Sequence, residues 1–165
     1  LGAWRETAEG RKALGGLAAA TPPAAEAGPA GDAGEVGGIR VLASRRHSNA
    51  DTDAFIERLR ERFGGVTTIA AGSARKICLL AAGEAHLYPR LAPTMEWDTA
   101  AGHAVLAAVG GRMYAVDPES LSDPDLVFAG TLAELTYDHA ETHRNPFFVG
   151  VAPDALRLRG PIEQQ

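Results

Sequence analysis

Glu96-Trp97-Asp98-Thr99-Ala100-Ala101-Gly102-His103-Ala104 sets an acidic residue directly behind a bulky aromatic, where a helix of small residues begins. A carboxylate at a helix N-terminus is stabilised by the aligned peptide dipoles. The same carboxylate can offer a hard oxygen ligand to Mg²⁺. The small residues behind it let other groups approach closely. The stretch predicts a helix over Asp98–Val109, ended by Gly110-Gly111.

Upstream, Ala85–Tyr88 reads as a strand that runs into Pro89-Arg90, and Ser73–Ala82 as an apolar helix stopped by Gly83. Val66–Ala70 is a strand. Ala54–Phe63 is an amphipathic helix with Phe55, Ile56, Leu59 and Phe63 on one side and Glu57, Arg58, Arg60 and Glu61 on the other. Asn49 or Asp51 can cap it, and Gly64-Gly65 stops it. Ile39–Ala43 is a further strand. Downstream, Arg112–Val116 and Phe147–Val151 read as strands and Pro153–Leu158 as a last short helix. Strands alternating with helices imply an α/β sheet covered by helices. No internal repeat is visible.

The organisation reads as three parts. Residues 1–16 are expected to be a strand remnant of a preceding region, because Leu1–Trp4 resembles the end of a strand whose partners are missing and the chain opens on Leu rather than Met. Residues 17–38 are nearly all Ala, Gly, Pro and Glu, with Thr21-Pro22-Pro23 and Gly28-Pro29-Ala30-Gly31 unable to continue regular structure. Such a segment has little apolar area to offset its ordering entropy and reads as a flexible surface insertion. Residues 39–165 form the folded body.

With 165 residues, 45% hydrophobic and 22% charged, the chain is long enough for one domain with a real core. A net charge of −5 disfavours general binding to a nucleic-acid polymer, although converging basic residues can still hold a small anion. Cys78, the one cysteine, lies between Ile77 and Leu79 and is expected in the packed core. The absence of a disulfide framework, of a bilayer-length apolar run and of a signal-peptide pattern leads to a cytoplasmic expectation.

Three segments end strands with polar chemistry, where α/β folds bind ligands. Ser44-Arg45-Arg46-His47-Ser48-Asn49 supplies cations, a histidine and hydroxyls suited to a phosphate or nucleoside; it can equally be a polar loop with a helix cap. Gly72-Ser73-Ala74-Arg75-Lys76 sets Ser73 and Lys76 three apart on one helix face, either as an anion site or as an N-cap with a solvated lysine. Ser-x-x-Lys is also the nucleophile motif of penicillin-binding proteins, but their companion Ser-Asp-Asn and Lys-Thr-Gly segments do not occur here. Tyr88-Pro89-Arg90 offers a phosphate partner in Arg90 and a ring in Tyr88 that stacks on a base or packs. His86, His103, His139 and His143 make no zinc spacing, and His103 reads as structural.

The order Ser-Arg-x-His-Ser, Gly-Ser-x-x-Lys-x-Cys-Leu, Leu-Tyr-Pro-Arg and Trp-Asp-Thr-Ala-Ala-Gly-His-Ala resembles the 3'(2'),5'-bisphosphate nucleotidases of the CysQ type, within the inositol monophosphatase superfamily. The tail Tyr137…Glu141…Asn145-Pro146-Phe147 is similar to that family's C-terminal segment. The resemblance covers most of Ile39 to Val151 and implies the C-terminal α/β half of a layered α-β-α-β-α phosphatase fold. It implies a Mg²⁺-dependent, lithium-sensitive phosphomonoester hydrolase of sulfur metabolism that converts adenosine 3',5'-bisphosphate to AMP and phosphate. Asp98 would be a catalytic Mg²⁺ ligand beside the phosphate, and His47, Ser73, Lys76, Arg90 and Asp98 would hold the nucleotide. A small nucleotide or sugar phosphate is the implied partner. Membrane-surface association and a homodimer are admitted by the family alone.

The chain departs from the family pattern. No Asp-Pro-x-Asp-Gly-Thr motif of the N-terminal, metal-binding half occurs, and Val116-Asp117-Pro118-Glu119-Ser120 is no substitute. The alternatives are inositol phosphate or fructose 1,6-bisphosphate hydrolysis, a non-catalytic nucleotide-binding or interaction module, and a truncated product without a function of its own.

Overall fold

The structure is a computed structural model that describes residues 4–7, 10–13, 38–43, 49–72, 75–139 and 141–157. Apart from Gly38, the predicted 17–38 insertion lies outside the described residues.

Trp4–Thr7 (β1) pairs antiparallel with Gly10–Ala13 (β2), from Trp4↔Ala13 to Thr7↔Gly10. The strand end expected over Leu1–Trp4 lies, apart from Trp4, outside the described residues. Gly10, at φ 118°, opens the returning strand in a conformation that L side chains rarely adopt.

The body is a five-stranded sheet ordered β4-β3-β5-β7-β6, made by Ile39–Ala43 (β3), Val66–Ala70 (β4), Leu87–Arg90 (β5), Arg112–Val116 (β6) and Phe147–Val151 (β7). β3 runs parallel to β4 and β5, whereas β7 runs antiparallel to both β5 and β6. The central strands bury Val41, Leu42, Leu87, Phe148 and Val149 completely, as expected for strands covered on both faces. Pro89 falls inside β5 rather than after it. The pairing of β5 with β3 is confined to Val41↔Leu87, so Pro89 lies past it, where a missing N–H interrupts no ladder on that side.

Ala50–Phe63 (α1) begins four residues before the expected start because Asn49 caps it: Asn49 Oδ1 accepts from the Thr52 N–H at 2.9 Å. Phe55, Ile56 and Leu59 are buried as predicted, and Gly64, at φ 75°, ends the helix with its N–H on Arg60 O at 2.8 Å. Arg75–Ala81 (α2) packs on β5, β7 and Glu96–Ala108 (α3). A Cβ on Gly102 would stand 3.0 Å from Ile77 Cδ1, so the glycine is what lets α2 and α3 approach closely. Asp125–Ala129 (α4) and the 3-10 turn Ser120–Ser122 were not expected. Both begin at aspartates that satisfy backbone donors: Asp117 Oδ1 accepts from Ser120 N and Asp123 Oδ1 from Asp125 N. The expected last helix is a 3-10 turn over Ala155–Arg157.

Cys78 is exposed, contrary to its expected burial. α2 turns Ile77, Leu80 and Ala81 inward, which leaves Arg75 and Cys78, three apart, on the outer face. Among the described residues no helix is long and apolar enough to cross a membrane.

Candidate phosphate and metal site

β3, β4 and β5 run in one direction, so their C-terminal ends share one edge of the sheet. Asn49, at the start of α1, ties into that edge: its Nδ2 donates to Leu91 O, beside Arg90, at 2.6 Å. α2 follows β4 and α3 follows β5, which brings Lys76, Tyr88, Arg90 and Asp98 to this edge.

Lys76 is not the solvated lysine of the blander reading. Only 3% of it is exposed, and its Nζ stands 5.1 Å from the centre of the Tyr88 ring. Burial, followed by the positive charge of Arg90, pushes its pKa below the ordinary lysine value. Tyr88 packs: it is buried and meets Phe148 edge-on at 5.7 Å. Burial raises the pKa of its phenol; Arg90 opposes this shift and Asp98 adds to it, so both charges bear on the same ring. Arg90 is half-buried. Its Nη2 donates to Pro93 O at 3.3 Å, while its Nε is buried and has no partner among the described residues. Neither cation is ion-paired to a carboxylate among the described residues.

Asp98 is the third residue of α3 rather than its first, because the helix begins two residues early, at Glu96. The exposed carboxylate accepts from the Met95 N–H through Oδ2 at 3.0 Å, which satisfies one donor of the helix start. Its Oδ1 has no hydrogen-bond partner among the described residues.

Residues within 136–139 and 141–145 hold the start of α3. Glu96 Oε1 accepts from the His139 N–H at 2.8 Å and Oε2 lies 3.0 Å from His143 Nδ1. These two bonds, the His139 amide first, hold the Glu96 carboxyl below its usual pKa. The Glu96 N–H donates to His143 O at 2.9 Å, with His143 in the left-handed region at φ 50°. Buried Asn145 directs its Nδ2 at Met95 O (2.8 Å), Thr99 Oγ1 (2.9 Å) and Thr94 Oγ1 (3.1 Å). One turn further along, His103 Nδ1 meets the Tyr137 hydroxyl at 3.0 Å, the structural role expected of it.

Lys76, Arg90 and Asp98 therefore converge, while His47 and Ser73 lie outside the described residues. Sequence reasoning missed Glu96 and gave Asn145 no role beyond the family tail. No local signal marks either residue, because the bonds that give them a role join the start of α3 to a tail far away in the chain.

The inositol monophosphatase family model matches residues 7–145. The chain belongs to the inositol monophosphatase family. Within that family, the 3'(2'),5'-bisphosphate nucleotidase CysQ of Escherichia coli (strain K12) is 46% identical over 74 residues, which are 45% of this chain and 28% of that protein. The Golgi-resident adenosine 3',5'-bisphosphate 3'-phosphatase of Callithrix jacchus is 31% identical and aligns with 61% of this chain and 30% of its own length. The crystal structure of CysQ from Bacteroides thetaiotaomicron, an inositol monophosphatase family member, matches with a TM-score of 0.58 at 40% identity, over 73% of this chain and 40% of that one. The mixed α/β sheet is thus the inositol monophosphatase fold. The chain spans about three tenths of the length of these curated relatives.

Proposed function

We propose that the chain carries the nucleotide-holding wall of a Mg²⁺-dependent phosphomonoester hydrolase that acts on adenosine 3',5'-bisphosphate. The carrying observation is the pair Lys76 and Arg90, two cations beside one buried ring, with Arg90 Nε desolvated and unpartnered among the described residues. A buried donor without an acceptor costs about 1–3 kcal/mol, a penalty that an incoming phosphate oxygen removes. An arginine fork and a point-like ammonium suit a phosphate's several oxygens.

The residues fit a hard cation in part. Asp98 offers a solvent-facing carboxylate whose Oδ2 is fixed by a backbone N–H and whose Oδ1 is open among the described residues. No group of three or more His, Cys, Asp or Glu side chains among the described residues is placed to hold a metal, so Asp98 would contribute a single ligand to Mg²⁺. Bound Mg²⁺ would supply Lewis-acid polarisation of the phosphoryl group. In this reading Lys76 and Arg90 grip the phosphate, Tyr88 walls it from water on the sheet side, and Asp98 fixes the reacting end. His47 and Ser73 complete the nucleotide contacts.

Phosphate release from adenosine 3',5'-bisphosphate, inositol phosphate and fructose 1,6-bisphosphate, each with and without Mg²⁺, tests the proposal. Asp98→Asn should abolish release and leave the circular dichroism spectrum unchanged; retention of Mg²⁺-dependent release in that variant overturns the assignment of Asp98. That Asp98 is the one carboxylate placed for a metal among the described residues favours a second reading, a module that binds nucleotide without turning it over. Calorimetric binding of adenosine 3',5'-bisphosphate without any phosphate release would select it.

A further inference from the structure

We propose that Glu96 and Asn145 are positioning residues that set the aim of the Asp98 carboxylate; the inference rests on the reading of Asp98 as a metal ligand. Asp98 is aimed by one contact, its Oδ2 on the Met95 N–H. Met95 is therefore the residue whose placement decides where Oδ1 points. Met95 is gripped from outside α3: its carbonyl accepts from Asn145 Nδ2 at 2.8 Å, and it forms a β-bridge with Arg144.

The residues on either side of Met95 are held by the same segment. Thr94 O accepts from the Asn145 N–H at 3.0 Å, and the Glu96 N–H donates to His143 O at 2.9 Å. The Glu96 side chain then ties the segment back on itself, because both carboxylate oxygens are engaged by residues of 139–143. The left-handed backbone of Asp138 and His143, at φ 79° and 50°, is what curls this segment around the carboxylate. Asp and His in that region carry strain that must be offset elsewhere, and the charge-assisted bonds to Glu96 are the local compensation. Among the described residues neither Glu96 nor Asn145 hydrogen-bonds to Lys76 or Arg90. Their bonds all end on the backbone or side chains that frame the first turn of α3.

Groups behind a metal ligand that fix its orientation typically change metal affinity 10- to 100-fold when removed. Mn²⁺ serves as the probe, through the paramagnetic broadening that it causes at backbone amides around Asp98 in the full chain. Glu96→Ala and Asn145→Ala should each weaken Mn²⁺ binding about tenfold, and Glu96→Gln, which retains an oxygen for the His139 N–H, should fall between Glu96→Ala and the parent. Leu59→Ala, a core truncation in α1 far from this segment, should lower the urea midpoint without changing Mn²⁺ affinity. Unchanged Mn²⁺ affinity in both alanine variants, or an equal loss in Leu59→Ala, overturns the proposal. Asp98→Asn separates the two levels. If Mn²⁺ broadening persists in that variant, the metal reading of Asp98 is wrong, and hydrogen exchange at the Met95 amide then decides positioning by itself. Faster exchange in Glu96→Ala supports the proposal and unchanged exchange refutes it.

Discussion

Lys76→Met separates what this residue does for the fold from what it does for a ligand, because the two effects have opposite signs. The lysine is 3% exposed, lies 5.1 Å from the Tyr88 ring and has no carboxylate partner among the described residues. A methionine follows the same path with a thioether in place of the ammonium. The change forfeits a cation–π contact worth about 0.5–2 kcal/mol. It also removes the desolvation penalty of an unpaired ammonium, which runs to several kcal/mol for a buried ion. The net expectation is a gain in stability of about 1 kcal/mol, read as a higher urea midpoint at unchanged slope. Binding should move the other way. One charge-assisted hydrogen bond to phosphate is worth about 1.5–3 kcal/mol, so calorimetry should show adenosine 3',5'-bisphosphate bound roughly 10- to 150-fold more weakly. A variant that is less stable yet binds the nucleotide as well as its parent would refute this reasoning and make Lys76 a structural residue.

Further outcomes follow from the same geometry. Arg90→Lys removes the fork that serves Pro93 O with one nitrogen while its Nε has no partner among the described residues, and should weaken nucleotide binding about tenfold, by calorimetry, with little effect on stability. Gly102→Val drives a branched side chain into Ile77, beside Lys76, and should lower stability by about 1–3 kcal/mol in urea titration. His86 accepts the Arg40 N–H on Nδ1 at 3.0 Å, and its pKa is depressed by burial first and by Arg40 second, with Asp154 opposing. The unfolded chain therefore takes up the proton more readily than the folded one. Stability is complete above the ordinary histidine pKa of about 6.5 and is lost as pH falls from there toward the folded value. Urea midpoints measured from pH 7.5 to 5 should decline, and His86→Asn, which keeps an acceptor for Arg40, should flatten part of that decline.

The parts legible in the sequence are those whose cause is local. The strands Ile39–Ala43, Val66–Ala70, Arg112–Val116 and Phe147–Val151 were readable because each begins directly after a glycine pair or, for the last, after Pro146, and α1 because its apolar positions repeat at helical spacing. Lys76 and Arg90 could be singled out because they lie at or just past the end of a strand, and Asp98 because an acidic residue opens a helix of small residues. Local spacing, however, does not reveal which side of a short helix is covered. Cys78 has apolar neighbours on both sides and still faces out, while Lys76, a charged residue, faces in, because α2 is sandwiched against α3 and β5.

The start of α3 shows the same limit at the site itself. From the sequence, Asp98 is the natural first residue of the helix, an acidic cap behind an aromatic. The structure begins the helix at Glu96, because the donors and acceptors of residues 94–96 are satisfied by residues 139–145, some 45 positions away in the chain. Two further residues of helix turn Asp98 from a cap awaiting a ligand into a carboxylate already pinned through one oxygen. That difference matters for chemistry. Held through Oδ2, the carboxylate can present Oδ1, which has no hydrogen-bond partner among the described residues, without disturbing the helix start. The placement of the Asp98 carboxylate is thus a tertiary property, supplied by a tail whose sequence, read alone, suggests only a loop.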